Sequence, residues 1–151
     1  MNRIFLFFTM IFTAGALHAQ TAAVPNMMQT SIDKIKVSSD AGRIIERTFS
    51  DIIFRNDSTS SNCWFYHRMS SSNSYRINAF APSEGVSAIN VYVYYKDDNN
   101  KWQMSASNSN TGNDVSVRFS PPVTRYYAIV VKGTLRTNIN NALFNLIIER
   151  E

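Results

Sequence analysis

Apolar residues occur at every second position in several short segments between Gly42 and the end of the chain. In one segment they are Val115, Val117 and Phe119, with polar residues between them, which is the repeat of a β-strand with one buried face. Stretches rich in Ser, Asn, Asp, Gly and Pro separate these segments and predict turns. The pattern predicts one all-β domain over 42–151, an antiparallel β-sandwich or barrel of about eight strands.

The predicted strands are 43–49 with 52–55 (one bent strand or two), 63–69, 74–81, 86–96, 101–107, 115–120, 125–133 and 141–150. The last segment is ambiguous, because its apolar residues also fit the spacing of a helix. The alternation of Phe144, Leu146 and Ile148, together with the β character of the rest of the chain, favours a strand.

The stretch Ser116–Gly133 predicts a hairpin, two strands joined by a short turn. Pro121 and Pro122 end the first strand, since neither proline can donate a hydrogen bond to a neighbouring strand. The run from Tyr126 to Val131 is apolar on both faces and rich in β-branched residues. It is therefore predicted to be a central strand, covered on both sides.

Residues 1–19 have the layout of a secretory signal peptide. Arg3 gives a short positive region, Ile4–Phe12 is apolar, and small residues precede a cleavage point after Ala19. The segment is short for a membrane anchor, so we expect an exported protein, periplasmic or extracellular, with no membrane span in the mature chain. The Ala-Gln junction resembles those of exported proteins from Bacteroidetes-type Gram-negative bacteria. Residues 20–41 have no clean repeat and predict a linker or an edge segment.

Charge and cysteine content narrow the classes of function. The formal net charge is +4, but the basic residues are scattered and form no run or motif that indicates a nucleic acid partner. Cys63 is the only cysteine, which excludes an intramolecular disulfide. Its apolar neighbours predict a buried, inert thiol.

Residues suited to catalysis are few. Once the signal peptide is removed, His67 is the only histidine, so a hydrolase would have to be centred on it. Cys63 lies on the same strand face about 13 Å away, beyond hydrogen-bond reach. The carboxylates show no spacing that indicates a glycosidase, and a single histidine does not indicate a zinc site. We therefore predict no catalysis, with a small secreted hydrolase centred on His67 as the alternative.

Two weaker patterns concern ions and modification. Asp97, Asp98 and Asp114 lie in polar turns whose oxygen atoms could bind Ca²⁺. The alternating Asp ladder of calcium loops is absent, which favours solvated turns and no cofactor. The sequence Asp57-Ser58-Thr59 resembles the O-glycosylation acceptor of Bacteroidetes periplasmic proteins, which makes Ser58 a candidate acceptor.

Aromatic residues make up 13% of the chain, and some are predicted to face solvent. In the segment 86–96 aliphatic side chains occupy one face, which places Tyr92 and Tyr94 on the other. Trp102 follows in the next segment. Exposed aromatic side chains can stack on sugar rings or anchor a protein partner, so these three are the candidate binding residues. The alternative is that both faces of the sheet are covered.

The order of three segments resembles a known family. They are the aromatic strand Trp64–Tyr66, the Ser-Tyr-Arg-Ile strand that leads to Ile89–Tyr95 and its polar hairpin, and Phe119–Val131. Over about 62–133 this order resembles the bacterial pre-peptidase C-terminal domain and related jelly-roll sandwiches, although Arg125 stands where that family usually has glycine. The resemblance implies a jelly roll and a non-catalytic accessory module.

Taken together, these features predict an exported, non-catalytic β-sandwich that binds a protein or a glycan at the cell envelope. A structural protein that assembles by edge-strand pairing is a further alternative.

Overall fold

The computed structural model of the protein describes residues 26–55 and 62–151. The predicted signal peptide and the candidate acceptor Ser58 lie outside the described residues. The chain divides into two compact units, Met1–Lys34 and Ile35–Glu151, and the strands all lie in the second.

That unit contains the eight strands β1 (Ile44–Phe54), β2 (Asn62–Met69), β3 (Tyr75–Phe80), β4 (Val86–Lys96), β5 (Trp102–Ser107), β6 (Asp114–Phe119), β7 (Arg125–Leu135) and β8 (Asn141–Arg150). The first two predicted segments form one strand, with an irregularity in register between Ile45 and Arg47. The ambiguous last segment is a strand, as the alternation of its apolar residues predicts.

The strands form two antiparallel sheets that pack face to face. Sheet A has the order β1-β8-β3-β6 and sheet B the order β2-β7-β4-β5. Within the sheets β1 pairs with β8, β2 with β7, β3 with β6 and β4 with β5. These nested pairs are those of a long hairpin folded over on itself, the topology of a jelly roll. The predicted all-β antiparallel sandwich is confirmed.

The core lies between the sheets and consists of the side chains on the inward side of each strand. From β4 it takes Ile89, Val91 and Val93, and from β8 it takes Phe144, Leu146 and Ile148. These six side chains are fully buried, and their spacing of two along each strand is the repeat that the sequence shows. Burial of one aliphatic or aromatic side chain of this size stabilises a fold by about 1.5–3 kcal/mol.

The sheets approach closely at Gly133 of β7. A Cβ atom built on this glycine would lie 2.2 Å from Cδ1 of Ile53, a buried residue of β1. Glycine is therefore required there by packing against the opposite sheet, since any larger side chain would displace Ile53.

The predicted hairpin at Ser116–Gly133 is wrong in its pairing. Its two strands exist, but β6 pairs with β3 in sheet A and β7 pairs with β2 and β4 in sheet B. Pro121 and Pro122 lie in the connection that crosses between the sheets. Prolines that interrupt hydrogen bonding suit such a crossing as well as they suit a hairpin turn.

Residues 26–40 are helical, where the sequence predicts a linker or an edge segment. The buried and half-buried positions of this helix, α1, are 27, 31, 34, 35 and 38, which is helical spacing. Two of these positions are serines and one is a lysine, so no apolar repeat marks the helix in the sequence.

The outer face of sheet A holds a buried charge. Glu149 is 1% exposed, and its Oε1 accepts hydrogen bonds from Ser38 Oγ of α1 at 2.5 Å and from Asn78 Nδ2 at 2.7 Å. Its Oε2 lies 2.7 Å from Nε of Arg43. Two hydrogen bonds and an adjacent guanidinium group offset the cost of burying this carboxylate.

Candidate functional site

The outer face of sheet B carries a cluster of aromatic side chains that is open to solvent. Alternation along the strands turns Trp64 and Tyr66 of β2 outward, because Cys63 and Phe65 pack in the core. The other outward rings are Tyr92 and Tyr94 of β4, Trp102 of β5 and Tyr126 of β7. We call these six residues the aromatic face. Four of them are 40–67% exposed, and the two of β4 are partly exposed.

Cross-strand pairing brings the rings together. Trp64 stacks on Tyr94 with ring centroids 6.2 Å apart, and it lies 5.6 Å from Trp102. Trp102 is also 6.4 Å from Tyr66, and Tyr92 is 6.2 Å from Tyr94. Side chains of the two edge strands therefore meet over the central strands, where Ala128 is 1% exposed. Aromatic pairs at such distances stabilise one another by about 0.5–1.5 kcal/mol each.

A groove of about 570 Å³ lies at one end of the aromatic face. Its aromatic lining is Tyr66, Trp102 and Tyr126, and Ala128 also lines it. In the sheet Ala128 lies between Tyr66 of β2 and Tyr94 of β4, so a methyl group stands where its neighbours carry rings. Ala128 is 1% exposed, so it lies beneath these rings at the base of the groove. Its remaining lining residues are Lys96, Asp98, Val123, Thr124 and Arg125.

The tyrosine hydroxyl groups differ between the two faces of sheet B. In the interior, the hydroxyl of Tyr127 donates a hydrogen bond to the carbonyl of Val123 at 2.8 Å. Within the described part of the chain, the hydroxyls of Tyr66, Tyr94 and Tyr126 make no hydrogen bond to another residue. They remain available to a ligand that offers donors and acceptors.

The candidate binding residues Tyr92, Tyr94 and Trp102 all lie on this one face. Tyr92 contacts Tyr94, and the ring of Trp64 lies between Tyr94 and Trp102 and contacts both. Sequence reasoning missed Trp64, Tyr66 and Tyr126 as members of the site. Alternation alone indicates that Trp64 and Tyr66 face away from Cys63 and Phe65, but only the pairing of β2 with β7 places them beside the others.

The candidate calcium residues are not brought together. Asp97 and Asp98 lie in the turn before β5, and Asp114 begins β6 beyond its other end, so the strand of about 20 Å separates them. Asp97 accepts hydrogen bonds from the backbone N–H of Lys101 and the side chain of Gln103, which lower its pKa. Among the described residues, no group of three or more His, Cys, Asp or Glu side chains could hold a metal ion.

His67 lies beside a carboxylate of the opposite sheet. Its Nε2 lies 2.7 Å from Oε2 of Glu46, and Oε1 of Glu46 lies 3.4 Å from Nε of Arg150. The contact links β2 to β1, one strand from each sheet. Over residues 26–55 and 62–151, no serine, threonine or cysteine makes a hydrogen bond to His67, so the residue has no nucleophile to activate there.

Cys63 is buried and forms no disulfide. Burial, followed by the charge of Asp51 and a hydrogen bond to it, raises the pKa of the thiol from 9.0 to about 11. The thiolate is the nucleophile, and its fraction near pH 8 falls about a hundredfold for this change in pKa. The structure therefore supports the predicted inert thiol.

We expect the folded protein to react with a disulfide reagent such as DTNB near pH 8 at least about a hundredfold more slowly than the unfolded chain. The rate of absorbance change, with and without denaturant, measures this difference. Equal rates in the two states would contradict the assignment of Cys63 as a buried, protonated thiol.

No helix within the described ranges is long and apolar enough to cross a membrane.

Comparison with known proteins identifies no relative by sequence: no family model matches the chain, and no curated protein matches it. The resemblance to the pre-peptidase C-terminal domain therefore stays a prediction. Among solved structures, the chain is similar to the CBM22-1 and GH10 modules of a Clostridium thermocellum endo-1,4-beta-D-xylanase complexed with xylohexaose. The TM-score is 0.34 and the identity 12%, over 73% of this chain and 26% of that one. The fold assignment accordingly rests on the strand order of the two sheets.

Proposed function

We propose that this protein is an exported, non-catalytic binding module that holds a glycan chain on the aromatic face of sheet B. The observation that carries the proposal is the set of six outward rings gathered beside one groove. Export follows from the signal-peptide pattern at residues 1–19. The proposed place of action is the cell envelope or the space outside it.

The composition of the face suits a sugar. A contiguous exposed patch of large apolar side chains usually marks an interaction site. Trp and Tyr combine a flat apolar ring with a polar tip, so the rings can cover the C–H face of a pyranose while hydroxyl groups bond to its rim. The unpartnered hydroxyls of Tyr66, Tyr94 and Tyr126 supply those polar contacts.

The shape of the face favours a narrow ligand over a flat protein surface. A stable protein interface buries about 800 Å² on each partner, with close packing at its centre. Here Tyr66, Trp102 and Tyr126 line a depression of about 570 Å³. A single chain of sugar rings can enter that depression, whereas a broad protein surface would bridge it and leave it unfilled.

We expect Ala128→Ile to weaken glycan binding at least about tenfold, because the larger side chain would displace the rings that cover residue 128 and line the groove. Isoleucine favours the strand conformation, so β7 is retained. Val130→Ile is the matched control: residue 130 points to the same side of the same strand, two residues beyond Ala128, and does not line the groove. The control should bind as the unchanged protein does.

The experiment begins with a glycan array probed with the mature protein, followed by titration calorimetry with the oligosaccharides that bind. Circular dichroism verifies that each variant is folded. Equal affinities for Ala128→Ile and the unchanged protein would place binding away from the groove. Failure of every glycan to bind would contradict the proposed function, and would leave a protein as the ligand of the aromatic face.

A further inference from the structure

We infer that the chain held on the aromatic face is an acidic polysaccharide that carries uronate carboxylates. This inference rests on the proposed function and names the ligand class for the same site.

The outward side of sheet B is cationic as well as aromatic. Besides its rings, the charged residues that its four strands turn outward are Arg68 of β2, Lys96 of β4 and Lys132 of β7. None of the outward positions on these strands holds Asp or Glu. Asp98, in the turn after β4, is the one acidic residue that lines the groove. A face of one sign attracts ligands of the opposite charge.

These three cations have no carboxylate partner within the described residues. Nζ of Lys96 lies 5.2 Å from the ring centroid of Trp102, and Nζ of Lys132 lies 5.4 Å from that of Tyr92. Such cation–π contacts hold an ammonium group beside a ring without neutralising it. Each ammonium group lies over the face of its ring, so a sugar that packs against Trp102 or Tyr92 would lie close to a positive charge.

Cations of sheet A and its surroundings behave differently. Arg43 pairs with Glu149, Arg76 and Arg118 with Glu151, and Arg150 with Glu46. These four arginines therefore have carboxylate partners, whereas the three cations on the outward side of sheet B have none among the described residues. Arg125, also at the groove, is already engaged, since its Nη1 donates to the carbonyl of Lys96 at 3.1 Å.

The spacing of the cations fits isolated carboxylates. Lys132 pairs with Asn90 across the sheet, so it lies six residues, about 20 Å, from the level of Lys96 along the strand. A chain with a carboxylate on every sugar would present one near each of these two positions, wherever it starts on the face. A densely sulfated chain would require basic residues clustered together.

The test compares oligogalacturonate with its fully methyl-esterified form, which has the same sugar backbone without charge. We expect the unchanged protein to bind the acid form at least about tenfold more tightly, with an affinity that falls as salt rises. In Lys96→Gln/Lys132→Gln the preference should fall to within about twofold. Arg118→Gln, which removes a 74% exposed cation from sheet A, should keep it.

Equal binding of the acid and the ester, with affinity lost in Ala128→Ile, would refute the acidic ligand and leave the proposed glycan module intact. Dextran sulfate, with dextran as its uncharged control, tests the alternative anion. Tighter binding of dextran sulfate than of oligogalacturonate would refute the uronate assignment. If no uncharged or charged glycan binds, the proposed function fails together with this inference.

Discussion

Tyr66→Ala/Trp102→Ala should lower glycan affinity by about a hundredfold or more. Both rings line the groove, and their centroids lie 6.4 Å apart. Aromatic anchors at the centre of a binding site typically contribute about 2 kcal/mol each, which is about thirtyfold in Kd. The two contributions need not add, since the rings contact each other, and a hundredfold loss allows for that coupling.

Titration calorimetry of the double variant with the oligosaccharide that binds the unchanged protein measures this loss. Phe54→Ala is the matched control, because it also truncates an aromatic residue at the surface, 51% exposed, but on sheet A. The control should bind normally. If Phe54→Ala lost affinity as strongly as the double variant, or the double variant retained it, the aromatic face would not be the binding site.

Arg43→Met should lower the free energy of unfolding by about 3 kcal/mol, the largest effect on stability that we expect from one surface-proximal residue. The substitution leaves the carboxylate of Glu149, which is 1% exposed, without its cation. Ser38 and Asn78 still donate hydrogen bonds to it, but hydrogen bonds alone do not neutralise a buried charge. The unfolded state hydrates the same carboxylate fully, so the difference appears in stability.

Denaturant unfolding followed by circular dichroism gives the free energy of unfolding for each variant. Arg118→Met is the control. Nε of Arg118 lies 3.8 Å from Oε1 of Glu151 and the arginine side chain is 74% exposed, and such exposed pairs contribute under about 1 kcal/mol to stability. Arg43→Met/Glu149→Leu should be more stable than Arg43→Met, since it removes the unpaired charge as well. A loss in Arg43→Met no larger than that in Arg118→Met would contradict the role assigned to the buried pair.

Alternation predicts most of the strands because the sandwich buries one side of each. The segment 86–96 illustrates this: its aliphatic residues enter the core, and Tyr92 and Tyr94 point outward. The strand at 141–150 is predicted by the same alternation, although β8 is also buried on its outer side at Ile147 and Glu149. That second burial supplies the apolar residues that make its sequence ambiguous with a helix.

Alternation does not predict which strands pair, and it does not predict the helix at 26–40. The connection at Pro121 and Pro122 is as short as a hairpin turn, yet it joins strands in different sheets. The helix at 26–40 is hidden because polar side chains occupy part of its buried side. Ser38 there serves the carboxylate of Glu149, a contact between residues 111 positions apart that no local pattern can indicate.

The sequence predicts part of the candidate site, the outward aromatic residues of one strand, and does not predict which other residues join them. Outward orientation of Tyr92 and Tyr94 follows from one strand, but the aromatic face is assembled from four strands that are distant in sequence. Trp64 joins it because β2 lies beside β7, and Ala128 lies between Tyr66 and Tyr94 because β7 pairs with both β2 and β4. Neither fact is local to any segment.

The two tryptophans of the chain, Trp64 and Trp102, both lie on the aromatic face, so their indole N–H signals report on it directly. The decisive measurement is an NMR titration, in which an oligosaccharide that binds is added stepwise to the ¹⁵N-labelled protein. We predict shifts of the indole signal of Trp102 and of the amides of Tyr66, Ala128 and Tyr126, with sheet A unaffected. Unchanged indole signals, with shifts confined to sheet A or the helix, would contradict the account.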